Sequence, residues 1–159
     1  MKARELRWGG VSLLSLAGLG LATYLAAVYF SGTSLSCGSL GGCESVTTSE
    51  YARFLGIPVT VLGVAVYSSL LLGSLAVIAL EYPPPVLKWG LLAVAGAGVA
   101  FTIYLTAIEL FVLHAVCVYC VASAILITAI LVLIAVAMRL ERSVNSECRT
   151  SAIMGHLKG

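Results

Sequence analysis

The sequence predicts an all-α membrane protein: a four-transmembrane-helix bundle with an extracytoplasmic loop and a short surface helix between spans one and two. Three observations predict it. Of 159 residues, 60% are apolar and 10% are charged, and the mean hydropathy is +1.07. An ordinary soluble domain is about 45–50% apolar and about 25% charged. Four apolar stretches each exceed the roughly 18 residues that mark a spanning helix. Lysine and arginine gather in the two tails rather than between spans one and two. The same arithmetic excludes disorder, for which charge is too sparse. A net charge of +2 is too small for a nucleic-acid footprint.

Residues 1–10 form a cytoplasmic N-terminal tail carrying Lys2, Arg4 and Arg7. Span one runs over Val11–Phe30 without a charge. A cleaved signal peptide has an apolar run of about 7–15 residues and a small-x-small end. This run is longer and ends at Tyr29-Phe30, so a retained span is expected. Span two covers Ile57–Leu80, span three Val86–Leu113, with Lys88 and Glu109 at its ends, and span four Ala115–Met138. Backbone groups in lipid must be satisfied within their own segment, so the spans are helices. The C-terminal tail, 139–159, carries Arg139, Arg142, Arg149 and Lys158. Basic residues collect on the cytoplasmic side. Both tails are therefore expected there, as an even span count requires. The link Glu81-Tyr82-Pro83-Pro84-Pro85 becomes a short stiff cytoplasmic turn. The outer cysteine loop 31–56 and the junction near His114 face outward. Within that loop, Thr47-Thr48-Ser49-Glu50 fits a capping box. A short helix at the membrane surface through Tyr51, Ala52, Arg53 and Phe54 is expected to follow, ending at Gly56 before Pro58.

Five cysteines leave at most two pairs. The charge-derived topology puts four of them on the outer face, where disulfides persist. Cys37 and Cys43 flank a glycine-rich stretch of the loop, and Cys117-Val118-Tyr119-Cys120 heads span four. At a helix start, residues three apart share a face, and the N-terminal dipole favours a thiolate. Such a pair can cycle between dithiol and disulfide. Cys120 lies one turn deeper, within reach of a hydrophobic redox partner. The mobile loop pair can exchange with it and then meet a soluble protein. Two pairs in series carry two electrons. The competing readings are a static loop staple for Cys37–Cys43 and inert buried thiols for Cys117 and Cys120. No metal is expected, since a floppy loop and a membrane helix make a poor tetrahedral cage. Val121 stands where a haem-attachment motif needs histidine. Cys148 reads as an ordinary cytoplasmic thiol.

The run Cys37-(x5)-Cys43, Ser49, Tyr51-Ala52, Gly56-Ile57-Pro58, Gly63-(x3)-Tyr67 and Cys117-Val118-Tyr119-Cys120 resembles the vitamin K epoxide reductase (VKOR) family. It is most similar to the prokaryotic homologues, and covers roughly residues 10–138. The resemblance implies a four-helix VKOR-like membrane domain over 11–138, arranged around a quinone of the ubiquinone or menaquinone type. It implies oxidation of an extracytoplasmic thioredoxin-fold, DsbA-type protein, with electrons passed to the membrane quinone in support of disulfide-bond formation. Carried over, Cys37 meets the partner, Cys43 exchanges with Cys117, and Cys120 is the thiolate against the quinone, with a lowered pKa. Ser49 supports the loop and the quinone end of the site by hydrogen bonding. Ala124 and Val59 stand where the animal enzymes have a tyrosine and an asparagine, which points to plain quinone reduction rather than epoxide reduction. The thioredoxin domain fused in some bacterial members has no counterpart in 139–159, so a separate partner is expected. Alternatives are a DsbB-type disulfide oxidase, whose Cys-x-x-Cys sits in the first outer loop, and a non-catalytic membrane subunit with structural disulfides.

Phe54, Phe101, Tyr104 and Phe111 are candidate quinone-pocket residues, against the competing reading of ordinary packing. Tyr51 and Tyr119 read as interface-belt aromatics. Glu109 and His114, at the outer end of span three, either relay protons or are merely solvated in the headgroup zone. Gly96 and Ala100, four apart, suit close helix packing.

Overall fold

The computed structural model describes residues 2–31, 53–54, 57–80, 82–113 and 117–156. Helix α1 spans Lys2–Ser31. Strand β1 (Arg53–Phe54) pairs antiparallel with β2 (Ile57–Pro58). Helix α2 is Val59–Ala79 and α3 is Pro85–Ile108. A π-helical turn follows over Glu109–Leu113, and α4 is Val118–His156. The four helices are each long and apolar enough to cross a membrane. Their main contacts run α1–α2–α3–α4 and back to α1, closing a ring. This is the up-and-down bundle that short connections between antiparallel neighbours produce.

Periodicity sets the inward faces. On α1 the buried positions are Trp8, Val11, Ser15, Gly18 and Ala22; on α2 they are Tyr67, Leu70, Ser74 and Val77. On α4, Ile127, Ile130, Ile134 and Ala137 repeat the spacing of three and four, which keeps one face of a 3.6-residue helix inward. The outward faces are equally apolar: Leu13, Leu72, Ile103 and Ile125 are each about two-thirds exposed. A helix apolar on all sides belongs in hydrocarbon. Lipid tails remove the hydrophobic drive between helices, so close packing and interhelical hydrogen bonds hold them together.

Small residues make that packing possible. A Cβ on Gly18 would stand 2.2 Å from the Tyr67 ring, and one on Gly73 would stand 2.4 Å from Leu91. Only a bare Cα leaves room for either neighbour. On α3 the inward small residues are Ala95, fully buried, and Gly98, beside Ile127. This corrects the expected pair: Gly96 meets nothing within 4 Å and Ala100 is exposed. Both sit about one position out of phase with the contact stripe. Two hydroxyl pairs tie the interior, Ser12 to Ser74 at 2.9 Å and Tyr67 to Ser123 at 2.9 Å. Interhelical hydrogen bonds of this kind contribute about 0.6–2 kcal/mol each.

Both regions set apart as tails continue helices, α1 from Lys2 and α4 to His156. They meet at one end of the bundle, where Trp8 is fully buried. Its Nε1–H donates to Glu141 Oε1 at 3.1 Å, and Lys88 forms an ion pair with the same carboxylate. Pro85 opens α3 at its first position, where a missing N–H costs nothing.

The expected surface helix is corrected at Arg53–Phe54, where the backbone is extended and paired with Ile57–Pro58. Ile57 precedes a proline, which steers it out of the α region. The two-residue connection between the strands is the length that hairpins favour. The rest of that expected helix lies outside the described residues.

Candidate active site

The site lies at the end of the bundle opposite Trp8 and Glu141. Cys117 immediately precedes α4, and its carbonyl accepts the Val121 N–H at 3.1 Å, the first bond of the helix. Cys117 is fully buried and Cys120, three residues on, is half-buried; both are free thiols. The Cys-x-x-Cys thus heads the last span, as its sequence position implies. The hydrogen bond from Cys120 holds the Cys117 thiol below its ordinary value, at about 7, against burial and the Glu109 charge. In this reduced arrangement Cys117 receives the hydrogen bond, and the donor beside it stabilises its thiolate.

Glu109 completes the cluster. Helix α3 is regular to Ile108 and then widens, and the Glu109 N–H reaches the carbonyls of both Leu105 and Thr106. Single π turns change the phase of a helix and recur at functional sites. Here the turn leaves Glu109 2% exposed, while Leu110 and Phe111 point outward. Glu109 Oε2 accepts the Cys117 N–H at 3.4 Å; among the described residues Oε1 meets no N–H or O–H donor, and the Cys120 thiol is hydrogen-bonded to the carboxylate. One donor atom each of Glu109, Cys117 and Cys120 lie within 4.8 Å of one another. Among the described residues, two sulfurs and a carboxylate oxygen are one ligand short of a closed structural zinc site. The solvated-headgroup reading of Glu109 is overturned, because the turn carries the side chain inward.

These three residues line a cavity of about 390 Å³ walled by all four helices. Leu25, Val66, Phe101 and Leu105 make its surface almost wholly apolar, and Thr60 adds a buried hydroxyl without a partner. Tyr119 lines the cavity and packs on Tyr24 at 6.0 Å between ring centroids, so it is a wall rather than a belt residue.

Of the candidate pocket residues, Phe101 and Cys120 line this cavity. Tyr104, 51% exposed, and Phe111, 80% exposed, do not. Tyr104 lies off the inward stripe of Phe101, Leu105 and Ile108, and the π turn sends Phe111 outward. Phe54 has its backbone in β1, but its side chain lies outside the described residues, as do Cys37, Cys43, Ser49, Tyr51 and His114. Cys148 lies within α4, its side chain likewise outside the described set. Thr60 and Ser123 carried no signal in the sequence. Glu109 did, as a carboxylate inside an apolar span.

A dithiol at a helix start, beside a buried carboxyl and open to an apolar cavity within four spanning helices, is the site of a membrane thiol oxidoreductase. The sequence profile of the vitamin K epoxide reductase family matches residues 11–135, and the chain belongs to that family. It is a multi-pass membrane protein, as its four apolar helices require. The Cys-x-x-Cys heads α4 rather than the first loop, which separates the chain from the DsbB arrangement.

Proposed function

We propose that the protein is a quinone-linked thiol oxidoreductase. It oxidises a separate, extracytoplasmic thioredoxin-fold protein and passes two electrons through Cys37/Cys43 and Cys117/Cys120 to a membrane quinone. The observation that carries this reading is the opening of the Cys117/Cys120 dithiol onto an apolar cavity between the spans. A cavity of about 390 Å³ falls in the range of ligand pockets, about 300–1,000 Å³. Its walls suit a flat apolar ring, and the orphan hydroxyl of Thr60 suits a carbonyl oxygen. A bound quinone would supply the two-electron acceptor.

The chain's own residues do the rest. The start of α4 fixes the two sulfurs on one helical face, which turns disulfide closure into an intramolecular step. In the proposed direction a thiolate of the loop pair, Cys43, attacks the Cys117 sulfur of the Cys117–Cys120 disulfide, and Cys120 is the leaving thiolate on the cavity side. Basic residues at both termini support a cytoplasmic placement of that end. The cysteine end then faces an oxidising compartment.

The test uses purified full-length protein, a reduced thioredoxin-fold substrate and a soluble quinone. Expected are substrate oxidation coupled to quinone bleaching, quinone in a lipid extract, and a redox-dependent gel shift of all four outer cysteines. Disulfides that persist under mild reductant, with no quinone extracted, would show the non-catalytic reading to be right.

A further inference from the structure

The second unpaired atom of the cavity is Glu109 Oε1. The residue is 2% exposed, lines the cavity, and holds its other oxygen on the Cys117 backbone. Among the described residues Oε1 has no N–H or O–H donor, and the Cys120 thiol is hydrogen-bonded to this carboxylate; a buried carboxyl with so few donors is costly to keep unless it serves chemistry. The other titratable groups on the cavity wall are Tyr29 from α1, Tyr67 from α2, and Cys117, Tyr119 and Cys120 from α4. Tyr67 is occupied by Ser123. No lysine, arginine or histidine is among the described lining residues. The π turn that places Glu109 here is a local departure from helix geometry, with the cluster as its visible result.

We propose that Glu109 is the proton carrier of the sulfur pair, taking the Cys120 thiol proton as the Cys117–Cys120 disulfide forms and releasing it into the cavity. This rests on the quinone reading for the final acceptor. The balance closes. Two S–H bonds break, one S–S bond forms, and two electrons leave for a two-electron acceptor of the quinone class. One proton leaves to water when Cys117 ionises. The other passes from Cys120 to Glu109 Oε1 and on to the reduced acceptor, which takes its second proton from water. Glu109 gives the second proton an acceptor within the cluster, on a cavity surface that is otherwise almost wholly apolar.

The test uses the reduced full chain in detergent, with Glu109→Gln and Glu109→Asp beside wild type. Three rates are read against pH: peptide-resolved alkylation of Cys117 without any acceptor, oxidation of the pair by an apolar aromatic disulfide, and bleaching of a short-tailed soluble quinone. In Glu109→Gln the alkylation midpoint is expected at lower pH, because a negative charge no longer opposes the thiolate. Both oxidation rates are expected to fall at least tenfold, within the about 10²–10⁴-fold worth of a positioned proton acceptor. Glu109→Asp keeps a proton-accepting oxygen and recovers part of the rate. A parallel fall of alkylation and oxidation marks a merely structural side chain and overturns the proposal. Oxidation by the disulfide within twofold of wild type in both variants also overturns it. Wild-type protein that reacts with the disulfide but bleaches no quinone overturns the quinone reading, and the disulfide rates then decide the role of Glu109 alone.

Discussion

The two ends of the bundle each hold a glutamate, partly buried at one end and fully at the other, and the two are treated in opposite ways. At the tail end, Glu141 accepts from Trp8 of α1 and pairs with Lys88 of α3, so one carboxylate joins three helices. Arg142 stacks over Trp89 beside it, at 5.1 Å from the ring centroid. At the cysteine end, Glu109 is more deeply buried, and among the described residues one of its oxygens meets no N–H or O–H donor. Its neighbours are two thiols and an apolar cavity. A satisfied carboxylate fixes architecture; an unsatisfied one beside reactive sulfur is held ready for proton transfer. Stability and chemistry are therefore separated along the bundle axis by roughly the thickness of a membrane core, about 30 Å.

That separation is breakable by mutation. The largest effect is expected at the cysteine end: Cys120→Ala should abolish quinone bleaching, a loss of more than about 10³-fold, as when one member of a covalent relay is removed. The thermal melt should barely move. Residual bleaching at the wild-type rate would strip Cys120 of its role. Gly18→Leu lies between the ends and drives a side chain into the Tyr67 ring. It should destabilise the fold by about 1–3 kcal/mol in a detergent unfolding series, the cost of overpacking. Lys88→Met at the tail end removes the ion pair and leaves Glu141 the Trp8 hydrogen bond and the Arg7 charge, and should cost about 1–3 kcal/mol. Thiol alkylation should stay normal there. A Lys88→Met protein that loses dithiol reactivity while still folded would break the division between the ends. The smallest effect sharpens it. Cys117 alkylation should pass half-maximum near pH 7, because the thiolate is the reactive form and a hydrogen bond from Cys120 stabilises it. Cys120→Ala should move that midpoint upward, toward the ordinary thiol range, as read by alkylation rate against pH.

Some elements were legible before any coordinates. The four spans stand out because hydrocarbon demands about 20 apolar residues per crossing, and the helices found over Val59–Ala79 and Pro85–Ile108 keep close to the expected limits. Arg53–Phe54 was misread, since a capping box says where a helix can start, not whether a nearby proline will hold the chain extended. Gly96 and Gly98 look alike in the sequence. Which of them faces Ile127 is set by the rotation of α3 within the ring of helices.

By itself the sequence determined the membrane class, the count of four spans, the Cys-x-x-Cys at the head of the last one, and the family. The first three follow from composition, run length and spacing, all of which are local; the family follows from the resemblance of the motifs and the profile match over residues 11–135. Only the tertiary structure decided that Glu109 faces the sulfurs rather than the headgroups, that Phe101 and not Tyr104 or Phe111 lines the cavity, and that Thr60 opens into it. A single π turn shifts the azimuth of every residue after it, and azimuth acquires meaning only when other helices stand around it.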